Sequence, residues 1–143
     1  MSLSVRVISA DEHRRWVASR PSVSFLQLPE WGDVKAGWRH ESLGWFLDSR
    51  LVGAGLVLYR PVPGFPRRSL AYLPEGPDVD WLREEHPGLG ADAWLGPLLA
   101  HCRACGAFQV KLGPPVAARR WSAATVKDAM AAVAEGVDGA ARQ

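Results

Sequence analysis

The stretch SLGWFLDSRLVGAGLVLYR, residues 42–60, holds two apolar runs separated by Asp48-Ser49-Arg50. Runs rich in Leu, Val and aromatic residues on either side of a short polar turn read as two antiparallel strands joined as a hairpin. That reading makes Trp45 a strand residue. It also puts Gly53 and Gly55 inside a strand, where glycine marks a place that a neighbouring segment approaches closely.

Upstream of the hairpin, SVRVIS reads as a strand. Ser9 followed by Glu12 forms a capping box for a helix over DEHRRWVASR, which Pro21 closes. FLQLPEW then brings in a second short helix, with Pro29 in its first turn, carrying Trp31, Val34, Lys35 and Trp38, and Gly37 weakens its end. Downstream, PVPGFPRR is expected to be a loop, SLAYLP a strand and EGPDVDW a turn-rich segment. A helix over roughly Ala91 to Cys105, the strand AFQVKL, a Gly-Pro-Pro break at 113–115 and a last helix from about Ser122 complete the chain. The order β-α-α-β-β-β-α-β-α mixes a hairpin-rich sheet with helices, which is α+β or mixed-sheet α/β.

Composition bounds the function. A chain of 143 residues fits one domain, and a domain of that size buries roughly two-thirds of the surface its unfolded chain exposes. Net charge is +2, from 17 Lys and Arg against 15 Asp and Glu, too balanced to argue for nucleic acid on charge alone, so any basic site is local. The amino-terminal apolar run is interrupted by charge and reads as neither signal peptide nor anchor. No later stretch is apolar enough to span a bilayer, so a cytoplasmic chain is expected. The two cysteines, in HCRACG, lack the second ligand pair of a structural zinc site, and they read as small residues on a helix; no metal is expected.

Three tryptophans, Trp31, Trp38 and Trp45, fall seven residues apart. Shared between a short helix and a strand, they cannot form a coiled-coil seam, which needs three or more heptads. Trp31 and Trp38 are either core anchors or the walls of a site around Lys35, and Lys35 is either that site's cation or part of a solvated helix face. The fragment RLVGAG, Arg50 to Gly55, matches the R-x-x-G-x-G/A pattern with which acetyltransferases bind the pyrophosphate of coenzyme A. That chemistry needs the glycine amides at a helix start. Here the glycines run into the strand LVLYR, so a coenzyme A site is not the first reading.

Two further segments fix loop geometry. Tyr-x-Pro-x-Gly-Pro, beginning at Tyr72, places a glycine and two prolines in one loop, either a rigid turn at a sheet edge or a preorganised binding loop. Gly-Pro-Pro before Arg119-Arg120-Trp121 sets two cations beside a ring, to meet phosphate or to lead solvated into a helix.

Taken together, FLQLPEWGDVKAGW, the hairpin, LAYLPEGPDVDW and GAFQVKLGPPVAARRWSAATVKDAM resemble, in order from about Val5 to about Met130, the amino-terminal part of the FemX/FemAB family, especially its actinobacterial type. These are tRNA-dependent aminoacyltransferases that build peptidoglycan cross-bridges. The resemblance implies a single GNAT-like (acyl-CoA N-acyltransferase-like) domain with a central mixed sheet flanked by helices. It also implies transfer of an amino acid from aminoacyl-tRNA, as co-substrate and with no other cofactor, to an amine of a UDP- or lipid-linked precursor's stem peptide. It casts Lys35 as a contact to the precursor's phosphates and Tyr72 as a substrate contact; beside them Trp31 and Trp38 read as walls around Lys35, and Asp80 as the candidate catalytic carboxylate. Arg67, Arg68, Arg119 and Arg120 are candidates for tRNA or phosphate contact.

Family members carry two such subdomains. The expectation is therefore a domain over residues 1–130, a small-residue-rich tail over 131–143 that frays, and half an active site, with turnover by this chain alone left open. Alternatives are a natural-product aminoacyl-tRNA-dependent transferase, a one-domain acetyl-CoA acetyltransferase, and a binding module that dimerises through the surface a second subdomain covers.

Overall fold

The computed structural model describes residues 2–117 and 119–140. Its elements are β1 (Leu3–Ile8), α1 (Ala10–Ala18), a 3-10 turn (Phe25–Gln27), α2 (Pro29–Val34), β2 (Arg39–Leu47), β3 (Arg50–Val62), β4 (Phe65–Leu73), α3 (Ala91–Ala104), β5 (Ala107–Leu112) and α4 (Ala123–Ala140). The strands lie in one sheet in chain order. The first four form an antiparallel meander, and β5 pairs parallel to β4 after the crossover through α3. The mixed sheet and the element order are those expected from the sequence.

Local chemistry explains the elements. Ser9 Oγ accepts from the Glu12 N–H while the Glu12 carboxylate accepts from the Ser9 N–H, so two orphan donors at the start of α1 are satisfied reciprocally. The β2–β3 turn is Asp48-Ser49, with Leu47 facing Arg50 and Asp48 at φ 55, a left-handed conformation that Asp tolerates better than most residues. α2 is shorter than its pattern suggested. It ends at Val34, Lys35 caps it at φ -84 and ψ 78, and Gly37 at φ 78 turns the chain, so Trp38 lies beyond the helix.

PVPGFPRR is a second hairpin rather than the loop expected of three prolines. Val62 faces Phe65 across Pro63-Gly64, and Pro61 faces Ser69. β2 leaves β3 at Tyr59, and β5 joins β4 only from Ser69, so residues 60–68 form a two-stranded ribbon with open outer edges. Proline cannot donate to a ladder, and an open edge is where its missing N–H costs least.

The larger core lies between the sheet and α3. Trp94, Leu98 and Cys102 of α3 meet Leu43, Trp45, Tyr59, Ala71 and Leu73, and the buried Trp45 Nε1 donates to the Trp94 carbonyl at 2.9 Å. On the other face α1 brings Trp16 against Ile8, Phe46 and Ala54, and α2 packs against β2 and β3. α4 runs on past residue 130, and its side chains from Ala123 to Glu135 are exposed; residues 141–143 of the expected tail lie outside the described residues. Among the described residues no helix is long and apolar enough to cross a membrane.

Candidate functional site

The chain after the 3-10 turn brings two rings to one cation. Lys35 Nζ sits 4.8 Å from the Trp31 ring centroid and 5.8 Å from that of Trp38. All three side chains are half-buried, so the rings are neither core anchors nor free in solvent. An ammonium so placed keeps its charge while its stem and two faces lose freedom and water, each such contact being worth about 0.5–1 kcal/mol. Edge-on packing of Phe25 against Trp31, centroids 5.7 Å apart, steadies the first wall. Trp45, by contrast, is fully buried core.

Sheet register extends this site. On β3, Tyr59 faces the α3 core, so Leu58 and Arg60 face the opposite side, toward α2. Arg60 Cζ lies 5.8 Å from the Trp38 centroid. Leu58 faces Tyr72 on β4, and Tyr72 faces Lys111 on β5, whose Nζ lies 5.8 Å from the Tyr72 ring. One side of the sheet thus carries Lys35, Arg60 and Lys111 interleaved with Trp31, Trp38 and Tyr72. Among the described residues none of the three cations is paired with a carboxylate. Arg60 and Lys111 escaped the sequence reading because only the strand register brings them to Lys35 and Tyr72.

The loop after Tyr72 is clamped by Gln27, a residue to which the sequence assigned no role. Gln27 Nε2 donates to the Pro74 carbonyl at 2.6 Å and its Oε1 accepts from the Leu56 N–H at 2.9 Å, with the side chain buried. One amide therefore ties the segment leading into α2 to β3 and to the loop. The same loop explains the RLVGAG glycines. A Cβ on Gly53 would stand 2.6 Å from Val79 Cγ1, and one on Gly55 2.8 Å from Pro77 Cβ. The Ala54 N–H and C=O bond to Asp78 at 3.1 and 2.9 Å. The stretch is a strand covered by the 74–79 loop, with no helix start for a pyrophosphate to meet.

Charges in that loop are mostly spent internally. Asp78 accepts from Trp16 Nε1 at 2.7 Å and pairs with Arg20 Nε at 3.1 Å, so it adds no free negative charge. Glu75 accepts from the Ser24 hydroxyl. Asp80 has a structural job. Its carboxylate accepts the N–H groups of Glu84, Glu85 and His86 at 2.9, 2.9 and 2.6 Å. Burial alone would raise that carboxyl, but the three backbone donors and His86 outweigh it and hold it below the usual carboxylate range. A lone-pair set so occupied is poorly disposed to take a proton from an amine.

The four arginines do not line one cleft. Arg67 and Arg68 border a cleft of about 440 Å³ with Arg39, Tyr59 and Cys105, whereas Arg119 and Arg120 border another, with Trp81 and Glu84. A second polar cluster lies beside the first cleft. Glu41 Oε1 accepts from Tyr59 Oη at 2.6 Å and lies 2.6 Å from His101 Nε2. Burial, with Glu41 alongside, pushes the Tyr59 hydroxyl far above its ordinary range, so it stays a donor. Burial likewise pushes the Cys102 thiol up to about 11.

Comparison with known proteins gives this geometry a lineage. Residues 8–132 match the model of the FemAB family. The chain is similar to lipid II:glycine glycyltransferases of Staphylococcus aureus, among them those of strains RF122 and MRSA252, each 29% identical over 111 residues that make up 76% of this chain and 25% of the relative. It therefore spans about a quarter of the length of the curated relatives it matches. The crystal structure of FemX superposes with a TM-score of 0.64 at 26% identity, over 80% of this chain and 28% of that one. The mixed sheet with its helices is the fold that the chain shares with FemX, and the chain belongs to the FemAB family.

Proposed function

We propose that this chain forms the precursor-binding part of a FemX-like aminoacyltransferase, which moves an amino acid from aminoacyl-tRNA to an amine on the stem peptide of a UDP- or lipid-linked peptidoglycan precursor. The carrying observation is Lys35, held between Trp31 and Trp38 on a sheet face whose other cations, Arg60 and Lys111, are also unpaired among the described residues. Membership of the FemAB family supplies the reaction class.

The precursor's pyrophosphate is a compact dianion, and an ammonium and a guanidinium held by rings are suited to it. Tyr72 offers a ring and a hydroxyl beside them. In the reaction, the amine nitrogen attacks the ester carbonyl of the aminoacyl-tRNA, the bond from that carbonyl to the ribose oxygen breaks, and the proton lost by the amine ends on the released ribose hydroxyl. The ester is already activated, so the protein's contribution is to hold the amine in line and to screen the phosphates. Asp80, committed to three backbone donors, braces the loop in this scheme and is not assigned the proton transfer.

Calorimetric titration with a UDP-sugar pentapeptide tests the reading, with acetyl-CoA in parallel. Precursor binding that Lys35→Ala removes supports it; acetyl-CoA binding without precursor binding overturns it in favour of an acetyltransferase.

A second reading rests on α4. Trp121, Val126, Met130 and Val133 border an apolar groove and are 63%, 47%, 69% and 67% exposed. Apolar area of that kind suits a packing partner, a further subdomain or a second copy of this chain. Light scattering over a concentration series decides between self-association and a monomer that needs a different partner.

A further inference from the structure

On the α3 side of the sheet three different ligand types converge. Glu41 comes from β2, while His101 and Cys105 stand one turn apart at the end of α3. Glu41 Oε1, His101 Nε2 and Cys105 Sγ all lie within 4.8 Å of one another. Individually, Nε2 is 2.6 Å from Oε1, and Sγ is 3.6 Å from Nε2 and 3.9 Å from Oε1. The Glu41 and His101 side chains are only 18% and 20% exposed.

A thiol beside an imidazole beside a carboxylate suggests a nucleophilic relay, but the geometry is wrong for one. A relay uses the two imidazole nitrogens in turn, one facing the nucleophile and the other the carboxylate. Here the same nitrogen, Nε2, faces both Sγ and Oε1. Three ligand atoms pointing at one point is the arrangement of a cation site.

We propose that Glu41, His101 and Cys105 form a three-ligand site for a divalent transition ion of the zinc class. Thiolate, imidazole and carboxylate are the donors this ion takes, and three protein ligands leave a fourth position open. With Zn–S near 2.3 Å and Zn–N and Zn–O near 2.1 Å, a tetrahedral angle sets S and N about 3.6 Å apart, and N and O about 3.4 Å apart. The S to N separation already has that value; the N to O pair opens by about 0.8 Å when an ion replaces the hydrogen between them. Binding sends the Cys105 thiol proton to solvent and leaves neutral His101 with its one ring proton on Nδ1, so that the Nε2 lone pair faces the ion.

The surroundings fit as well. Tyr59 Oη donates to the Glu41 oxygen at 2.6 Å, which orients the ligand from behind. Arg39 donates to the Cys105 carbonyl at 3.1 Å and lies over the Tyr59 ring, its guanidinium centre 4.3 Å from the centroid, so this guanidinium is turned to a carbonyl and a ring. Cys105 and Tyr59 border the cleft that also holds Arg67 and Arg68, so water reaches the fourth position from there. Cys102 is not a ligand: it is buried, with Sγ 3.9 Å from Tyr59 Oη. The Cys-x-x-Cys spacing is thus a false lead and the ligand set is split, with Glu41 and His101 60 positions apart in the chain. This inference is independent of the transferase reading.

The test is titration of the reduced, metal-free chain with Co²⁺, followed by Zn²⁺. The expected result is one equivalent of cobalt with a thiolate-to-cobalt charge-transfer band, displaced by zinc, lost in Cys105→Ser and kept in Cys102→Ser. Tyr59→Phe should weaken zinc binding by roughly 10- to 100-fold, as loss of a group that orients a ligand does. No band in the parent chain, a band that survives Cys105→Ser, or one that Cys102→Ser removes overturns the site. Should Cys105→Ser not fold, alkylation of the parent chain decides: zinc that protects Cys105 from iodoacetamide supports the site, and unchanged alkylation of Cys105 overturns it.

Discussion

The two faces of the sheet treat charge in opposite ways. On the α2 face Lys35, Arg60 and Lys111 lie against rings and have no carboxylate partner among the described residues. On the α3 face Glu41 is enclosed by Tyr59, His101 and Cys105, which point their donors inward. Rings hold a cation in place without neutralising it, whereas an enclosed carboxylate has its lone pairs occupied where it stands. The first face is therefore open to an anionic ligand from outside, and the second is closed on itself unless a cation enters.

What couples the open face to the rest of the fold is Gln27, and removing it has the largest expected effect. Gln27→Ala leaves the Leu56 N–H and the Pro74 carbonyl buried without partners and adds a void beside Gly76. Each unsatisfied group costs about 1–3 kcal/mol, so a loss of about 3 kcal/mol or more in denaturant unfolding is expected. Precursor binding should fall with it, since the 74–79 loop loses its clamp. An unchanged unfolding midpoint would mean that the loop holds its place by other contacts.

The same face rests on a buried base. His13, 1% exposed and 2.8 Å from Ser42 Oγ through Nδ1, is lowered by burial to about 4 from 6.5. Glu30 opposes that shift, and Arg14 adds to it. Between those two values the unfolded chain takes up a proton that the folded chain refuses, so stability rises with pH through the window. It is complete above 6.5 and falls progressively toward 4. The full swing is about 3 kcal/mol. Unfolding free energies across that range should show it in the parent chain, and a flat profile in His13→Gln would assign it to this residue.

The hairpin of residues 42–60 was legible because its turn and both strands are contiguous, and with it came the role of Gly53 and Gly55. Lys35 between Trp31 and Trp38 was legible for the same reason: the three lie within eight residues of chain. Arg60 and Lys111 were not, because no local pattern states which residues of three separate strands stand side by side. The ribbon at 60–68 was hidden by its prolines, which signal a loop unless the neighbouring strands are known to stop short of them. Glu41 and His101 were hidden by distance along the chain, and the bracing role of Asp80 was hidden because a carboxylate in a turn-rich segment gives no sign of the three amides it caps.

Lys35→Ala sharpens the contrast between the faces in binding rather than stability. Removing a half-exposed ammonium that pairs with no carboxylate should move the unfolding free energy by less than about 0.5 kcal/mol. Losing a charge-assisted contact to pyrophosphate should cost about 1.5–3 kcal/mol, or roughly a 10- to 100-fold loss of precursor affinity. Arg60→Ala should act in the same direction. If either change lowers stability and leaves affinity alone, the open face is structural after all.

The smallest expected effect isolates the rings. Trp38→Leu keeps an apolar side chain and leaves both Lys35 and Arg60 in place, but it removes the ring 5.8 Å from each cation. At a half-exposed site that loss is worth about 0.5–1 kcal/mol for each of the two cations, so precursor affinity should fall by roughly 5- to 30-fold while charge is unchanged. The salt dependence separates the two contributions. If rings position the cations and the cations bind the anion, Trp38→Leu lowers affinity by a similar factor at low and high salt, while Lys35→Ala also flattens the salt dependence by removing a charge. A Trp38→Leu defect that vanishes at high salt would mean that the ring tunes the field of the site and does not hold its geometry.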